Sequence, residues 1–151
     1  MESTPQNSAF AARTTRKARV IVYWIVTALF CLEMSFTAYY EFLPQGVQAF
    51  NRLGFPNSYF RIELSLVKLA GVAALLIPLV PARLKEWAYV GFAINLVSAI
   101  IAHLSIRDIP LAFAPSTITS VLWALSYYLW RRLQARQAHS GANLAGRPNP
   151  A

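Results

Sequence analysis

Charge is scarce in this chain, and acidic charge is scarcer than basic charge. Charged residues make up 13% of the 151 residues, 56% are hydrophobic, and the 14 Lys and Arg outnumber the 6 Asp and Glu. This balance is unlike that of a soluble globular domain and predicts a protein that faces lipid. The basic residues gather at the ends of apolar runs and do not line one face, so the net charge of +8 predicts membrane topology and no nucleic-acid partner.

The chain has a single cysteine, Cys31, which lies in the first apolar run. One thiol excludes a disulfide framework, a CxxC redox pair and a cysteine-rich metal site, and we expect a small packing residue. Alternating strand patterns that a membrane barrel would need are missing. No nucleophile has a paired base, no His and carboxylate cluster has metal-ligand spacing, and no glycine-rich loop precedes a helix. The sequence therefore predicts no catalytic residue and no metal site.

Four apolar segments have the length of membrane spans. An α-helix rises 1.5 Å per residue, so about 20 residues cross the roughly 30 Å of hydrocarbon in a bilayer. The predicted spans are residues 20–42, 59–80, 87–104 and 110–130. Glu63 and Lys68 interrupt the second span, and Pro110 and Pro115 open the fourth. The expected fold is all-α, a membrane-embedded bundle of four transmembrane helices.

The ends of the chain differ in composition from its apolar part. We expect a polar basic N-terminal tail over residues 1–19, the four-helix transmembrane domain over 20–133, and a disordered C-terminal tail over 134–151. No A-x-A cleavage site follows the first apolar run, which predicts a retained span and no cleaved signal peptide. Residues 51–56, which include Gly54 and Pro56, predict a turn that leads into the second span.

The distribution of Lys and Arg predicts the orientation, because positive charge concentrates in cytoplasmic loops and tails. One side of the predicted spans carries Arg13, Arg16, Lys17, Arg19, Arg83, Lys85, Arg131, Arg132 and Arg136, and the other carries only Arg52, Arg61 and Arg107. Both termini are therefore expected in the cytoplasm.

Four ionisable residues form the candidate intramembrane polar cluster: Glu33, Glu63, Lys68 and His103. A charged side chain at mid-bilayer costs about 2.5–3.5 kcal/mol, so each is expected to face the bundle interior or water. Glu33 and Lys68 both lie about 14 Å below the outer boundary at 1.5 Å per residue, and an antiparallel hairpin would pair them. Glu63 and His103 would lie at the mouth, near Asp108. A structural ion pair that fixes helix register and a functional pair are both open, and for His103 a bond to backbone or water is favoured over proton transfer.

A stripe of small and polar residues runs along the third predicted span. Gly91, Asn95 and Ser98 share one helical face with Ala99 and Ala102. Small residues allow close approach of helices in membranes. We therefore expect this stripe to serve helix packing.

Four stretches of the sequence carry a resemblance to a known family: LGFPNSYFRIEL (53–64), KLAG (68–71), LLIPLVPARLKEWAYVGF (75–92) and SAIIAHLS (98–105). Over residues 23–128 the chain resembles the DoxX-like family of small bacterial membrane proteins. The resemblance implies a four-helix bundle in the bacterial inner membrane, related to small subunits of quinol oxidase and thiosulfate:quinone oxidoreductase. Its motif positions are Arg61, Glu63, Lys68, Glu86, Trp87, Tyr89 and His103. The resemblance assigns none of them a role, and Glu33 stands where relatives are expected to carry an apolar residue.

Three functional hypotheses follow from these patterns. The resemblance favours a non-catalytic accessory subunit that docks on a membrane oxidoreductase or helps to present a quinone, with no covalently bound cofactor because haem and iron–sulfur ligand sets are missing. The alternative is a small transporter or proton-linked permease, which four spans would form as a homo-oligomer or a simple pore. The third is a membrane enzyme that uses Glu63 and His103 as acid and base. The lipid bilayer is the partner common to all three.

Overall fold

The computed structural model describes the backbone of residues 5–145 and the side chains of residues 14–15, 17–109 and 114–136. The described part of the chain consists of helices and contains no strand, which confirms the prediction of an all-α fold. The helices are α1 (Pro5–Tyr40), α2 (Pro44–Arg52), α3 (Ser58–Leu76), α4 (Ala82–Ser105) and α5 (Pro110–Ala145).

The four long helices pack side by side in alternating directions. α1 packs against α3 and α5, and α4 packs against the same two helices. Short connections join α3 to α4 and α4 to α5, so each long helix runs antiparallel to the next. We call the end that carries α2 and the α4–α5 connection the α2 end, and the opposite end, where α1 begins and α5 finishes, the terminal end.

The short helix α2 was not predicted from the sequence, although its boundary signals are present. Pro44 occupies its first turn, where the missing N–H of proline costs nothing. The helix ends in a Schellman motif, because the Phe55 N–H donates to the Phe50 carbonyl and the Gly54 N–H donates to the Asn51 carbonyl. Gly54 has φ +86°, a left-handed conformation that glycine adopts without steric cost. The predicted turn therefore begins two residues later than expected.

The surface of the protein is largely apolar, although its interior contains several polar and charged side chains. Leu32, Val67 and Ile94 are more than half exposed on three different helices. Buried polar or charged residues include Thr27, Glu41, Ser65, Lys68, Lys85, Thr119 and Ser126. Water would penalise such an exterior, since soluble monomers rarely expose large contiguous apolar patches, whereas lipid favours it.

Two segments of the described residues are long and apolar enough to cross a membrane: Lys17–Tyr40 and Ala82–Ser105. α3 has 19 residues, but Arg61, Glu63 and Lys68 lower its hydropathy. The crossing of the bilayer by α3 and α5 stays a prediction.

Both predicted tails contain helix. α1 begins at Pro5, and α5 continues to Ala145 through most of the segment predicted to be disordered. The correction has a physical reason: Leu133, Gln134, Ala135 and Arg136 are good helix formers, and extending an existing helix needs no new nucleus. Residues 146–151 of the predicted tail lie outside the described part.

Candidate functional site

A buried ion pair lies at the α2 end, between α1 and α3. The Lys68 ammonium donates to Glu41 Oε1, and the Ser65 hydroxyl donates to Glu41 Oε2 at 2.5 Å. The Arg61 guanidinium donates to the backbone carbonyl of Glu41. We call these four residues, Glu41, Arg61, Ser65 and Lys68, the Glu41 cluster.

The spacing of α3 places its three members of the Glu41 cluster on one face. Positions 61, 65 and 68 follow the i, i+4, i+7 pattern of a helical stripe. Glu41 follows the last residue of α1, and its N–H donates to the Thr37 carbonyl. The side chains of Lys68 and Glu41 are 8% and 7% exposed, so each charge depends on the other for its stabilisation.

Lys68 therefore pairs with Glu41 and not with Glu33, which corrects the pairing expected from depth along the helices. Cα–Cβ bonds tilt toward the N-terminus of a helix. The N-terminus of α3 lies at the α2 end, so Lys68 reaches toward Glu41. The N-terminus of α1 lies at the terminal end, so Glu33 is directed away from Lys68. Glu33 is half-buried and has no hydrogen bond or ion pair within the described residues.

A second polar group, which we call the Asp108 cluster, joins α2 to the α4–α5 connection. Asp108 Oδ1 accepts from Arg52 at 2.6 Å and from the Ile109 N–H at 3.1 Å. Its Oδ2 lies 3.0 Å from His103 Nδ1. The hydrogen bond with His103 is the largest cause that lowers the pKa of Asp108 below 3.8, with help from the Ile109 N–H and the charge of Arg52 and against a smaller opposing effect of burial.

The backbone before Asp108 adopts a conformation that directs its side chain. Arg107 has φ +51°, and it is the only residue other than glycine in the described chain with positive φ. The Asp108 N–H donates to the His103 carbonyl, and the Arg107 N–H donates to the Leu104 carbonyl. This is a second Schellman motif, with arginine where glycine is usual.

The four predicted cluster residues are thus separated in the structure. Lys68 belongs to the Glu41 cluster and His103 to the Asp108 cluster. Glu63 is exposed, outside both clusters. Sequence reasoning missed Glu41 because it lies at the edge of an apolar run, and the signal that could have found it is its position at the same end as Arg61. Any functional role of the four stays a prediction.

A third buried polar group lies toward the terminal end, where α1, α4 and α5 meet. Ser126 Oγ lies 2.7 Å from Thr27 Oγ1 and 2.7 Å from the Tyr89 hydroxyl. All three side chains are fully buried, and we call them the hydroxyl cluster. Trp123 donates from Nε1 to the Tyr89 carbonyl at 2.9 Å. These bonds satisfy the polar groups and fix the register of three helices.

An apolar layer separates the hydroxyl cluster from the Glu41 cluster. On α1 it contains Phe30 and Met34, which follow Thr27 and precede Glu41. Phe30 packs edge to face on Phe92 of α4, with ring centroids 5.0 Å apart and planes at 86°. Leu75 of α3 is fully buried in the same layer. This apolar layer therefore lies between the hydroxyl cluster and the Glu41 cluster along α1.

A groove of about 360 Å³ lies between α3 and α4 and is lined almost entirely by apolar atoms. Its lining residues include Lys68, Ala70, Ala74, Trp87, Gly91 and Asn95. An added Cβ at Gly91 would meet no atom within 4 Å, whereas one at Gly71 would lie 2.8 Å from the Phe92 ring. Within the chain, helix packing therefore depends on Gly71, while the predicted packing residues Gly91 and Ser98 are exposed and Asn95 is half-buried.

Lys85 caps the C-terminal end of α3. It is buried, and its ammonium donates at 3.1 Å to the Leu75 carbonyl in the last turn of that helix. A cation is favourable there because the last carbonyls of a helix are unpaired and carry partial negative charge. Lys85, which the sequence assigned to topology, thus has a structural role as well.

The comparisons with known proteins agree with the resemblance in the sequence. A sequence model described as the DoxX-like family matches residues 25–125, about two thirds of the chain. The matched segment contains the Glu41 cluster, the Asp108 cluster and the groove. No curated protein and no solved structure matches the chain.

Proposed function

Because the chain belongs to the DoxX-like family, we propose that it is a four-span protein of the bacterial inner membrane with both termini in the cytoplasm. The family and the two apolar helices point to a membrane protein. The apolar exterior of all four long helices supports the two further spans, since an apolar surface is stable against lipid. Under this orientation the α2 end faces away from the cytoplasm.

Within the membrane, the chain acts as a non-catalytic accessory subunit of a quinone-linked redox complex. The observation that carries this proposal is the contrast between exterior and interior. The exterior offers apolar surface to a partner. In the Glu41 cluster the buried charges are paired within the chain, so their geometry serves the fold of the subunit.

A small oligomeric transporter is the second candidate. The buried Glu41–Lys68 pair favours it, because ionisable groups inside membrane proteins often mark ion pathways. The apolar layer of Phe30, Met34 and Phe92 weighs against it, since hydrocarbon between two polar groups leaves a proton or ion without partners. We therefore place this function second.

The experiment is purification of the tagged protein from its native membranes in lipid nanodiscs, with mass spectrometry of the proteins, lipids and quinones recovered. The accessory role predicts an oxidoreductase subunit in fixed ratio to the chain, with quinone. A matched pair of variants locates the contact: Leu32→Trp on the exposed face of α1 should displace the partner, and Arg132→Gln at the terminal end should not. Recovery of the chain alone, together with proton or solute flux in proteoliposomes, would favour the transporter.

A further inference from the structure

The groove between α3 and α4 contains an amide with no hydrogen-bond partner among the described residues. The side chain of Asn95 lines the groove, and no described residue hydrogen-bonds to it. Asn95 lies near the middle of α4, the helix that spans Ala82–Ser105. Hydrocarbon offers no hydrogen bond at that depth, and an unpaired amide there costs free energy.

We propose that two copies of the chain associate side by side through this groove, with Asn95 of each copy hydrogen-bonded to Asn95 of the second copy. The proposal rests on the membrane embedding of α4 and not on the identity of any redox partner. It gives the predicted stripe of Gly91, Asn95 and Ser98 a role in helix packing between chains.

The chemistry of Asn95 selects the occupant. A carboxamide carries both donors and acceptors, so it complements an identical carboxamide. Two copies with the same orientation in the bilayer bring their Asn95 residues to the same depth, and a two-fold axis along the membrane normal makes the contact reciprocal. The acyl chain of a phospholipid would fill the apolar part of the groove but leave the amide unpaired.

The shape of the groove allows a helix to approach closely. The space over Gly91 is open, and Asn95 and Ala99 follow it at intervals of four residues, which is the spacing of small residues in membrane helix pairs. On the α3 side of the groove, the small side chains of Ala70 and Ala74 leave room for a neighbouring helix. The exposed Trp87 lies at the terminal end of the groove, where it extends the contact toward the membrane boundary.

Disulfide cross-linking tests the dimer directly, because the chain has one cysteine and it is buried. In a Cys31→Ala background, Gly91→Cys and Asn95→Cys are placed in the groove. The matched controls are Val90→Cys and Val97→Cys, exposed positions of α4 at neighbouring depths that do not line the groove. The purified protein is diluted in phosphatidylcholine vesicles, treated with a mild oxidant and run on a non-reducing gel.

The expected result is a covalent dimer for the two groove positions and monomer for the two controls. Equal cross-linking at all four positions, or none at the groove positions, overturns the proposal. In the protein without introduced cysteines, Asn95→Leu should weaken the dimer about three- to thirtyfold in a dilution series. Its fold should persist, because Asn95 has no partner in its own described chain.

Gly91→Leu provides an independent check, since its larger side chain would occupy part of the groove and its Cβ would meet no atom of the monomer within 4 Å. It should abolish the dimer without lowering the unfolding temperature of the monomer. Native mass spectrometry that shows a monomer with one lipid or one quinone, lost in Gly91→Leu, overturns the dimer. The assay uses purified protein, so a dimer that forms without recovery of an oxidoreductase would separate this inference from the accessory role.

Discussion

Substitution of a single residue should have its largest effect on stability at the ion pair between Glu41 and Lys68. Both side chains are more than nine-tenths buried, and the pair also involves Ser65. Removing one charge from a buried pair leaves the other uncompensated, whereas replacing both with apolar residues is often neutral. The packing of α1 on α3 should therefore tolerate both charges or neither, but not one charge alone.

Lys68→Met should lower the free energy of unfolding by about 3–5 kcal/mol, because Glu41 would remain buried without its cation. Glu41→Leu should lower the free energy of unfolding by a similar amount, because Lys68 would then remain buried without its anion. The double variant Lys68→Met, Glu41→Leu should recover most of the loss. Equilibrium unfolding in detergent micelles measures all three, and a double variant as unstable as the sum of the two single ones would contradict the pairing.

Asp108 should make stability depend on pH in the acidic range. Its pKa in the folded protein lies below the ordinary value of 3.8, so the unfolded chain binds this proton first as pH falls. The stabilisation by Asp108 is therefore present above about pH 3.8 and is lost as pH falls through the folded pKa.

The measurement compares the wild type with Asp108→Asn in unfolding experiments between pH 6 and pH 3. The advantage of the wild type should be constant in the upper part of this range and shrink in the lowest part. Arg52→Gln should reduce the advantage, since the charge of Arg52 contributes to the lowered pKa. An advantage that grows with acid would have the wrong sign for a lowered carboxyl pKa.

At the scale of elements, two Schellman motifs end α2 and α4, one with glycine and one with arginine at the left-handed position. The φ of Gly54 is +86° and that of Arg107 is +51°. A residue with a Cβ pays about 1–2 kcal/mol in this conformation relative to its right-handed one. The two sites therefore respond to substitution in opposite directions.

Arg107→Gly should stabilise the protein by about 1 kcal/mol, because glycine adopts the left-handed conformation without strain. Gly54→Ala is the matched converse and should destabilise by a similar amount, even though an added Cβ meets no atom within 4 Å. Thermal unfolding in micelles distinguishes them by the sign of the shift. Two shifts of the same sign would show that backbone conformation does not govern these positions.

Two glycines near the contact of α3 with α4 differ in their surroundings. Gly71 packs against the neighbouring helix, and Gly91 does not. Gly71→Ala would bring its Cβ within 2.8 Å of the Phe92 ring, which is itself packed on Phe30. We expect a loss of about 1–3 kcal/mol from this overpacking. Gly91→Ala should be neutral or stabilise by up to about 1 kcal/mol through helix propensity. Chemical unfolding of the monomeric protein in detergent compares the two, and equal losses would contradict the assignment of Gly71 to the helix contact.

At the scale of the whole molecule, the antiparallel order of four long helices places the start of α1 and the end of α5 at the same end of the bundle. Basic residues concentrate at that same end, as in the exposed Lys17, Arg83 and Arg132. The positive-inside rule then predicts that both termini lie in the cytoplasm. Two spans alone would also put both termini on one side, so the positions of the connections are the decisive test.

Single reporter fusions should establish the topology. A reporter active only in the cytoplasm should be active at residue 151 and in the α3–α4 connection at Leu79, and inactive after Asn51. A periplasmic phosphatase should give the reverse pattern. The exposed Leu79 makes its connection accessible to such a fusion. A cytoplasmic reporter that is inactive at Leu79 as well as after Asn51 would rule out the crossing by α3.

The amino-acid sequence by itself determined the four apolar helical segments and the family. Apolar runs of about 20 residues and the turn residues between them predict helices whatever their neighbours, because backbone hydrogen bonding in an α-helix is local. The sequence also indicated that Lys68 faces the interior, because a charge inside an apolar run is unfavourable in contact with hydrocarbon. The stretches around Leu53, Leu75 and Ser98 were sufficient to indicate the family.

Only the tertiary structure decided which polar groups meet. Counting residues places Glu33 and Lys68 at one depth, but side-chain direction differs between antiparallel helices, and Lys68 reaches Glu41. His103 finds Asp108 through the turn at Arg107, a conformation with no residue signature in the sequence. The hydroxyl cluster joins residues up to 99 positions apart, and such contacts depend on how helices rotate and pack. Helix formation is set by local sequence, and the pairing of buried groups is set by the packing that brings distant faces together.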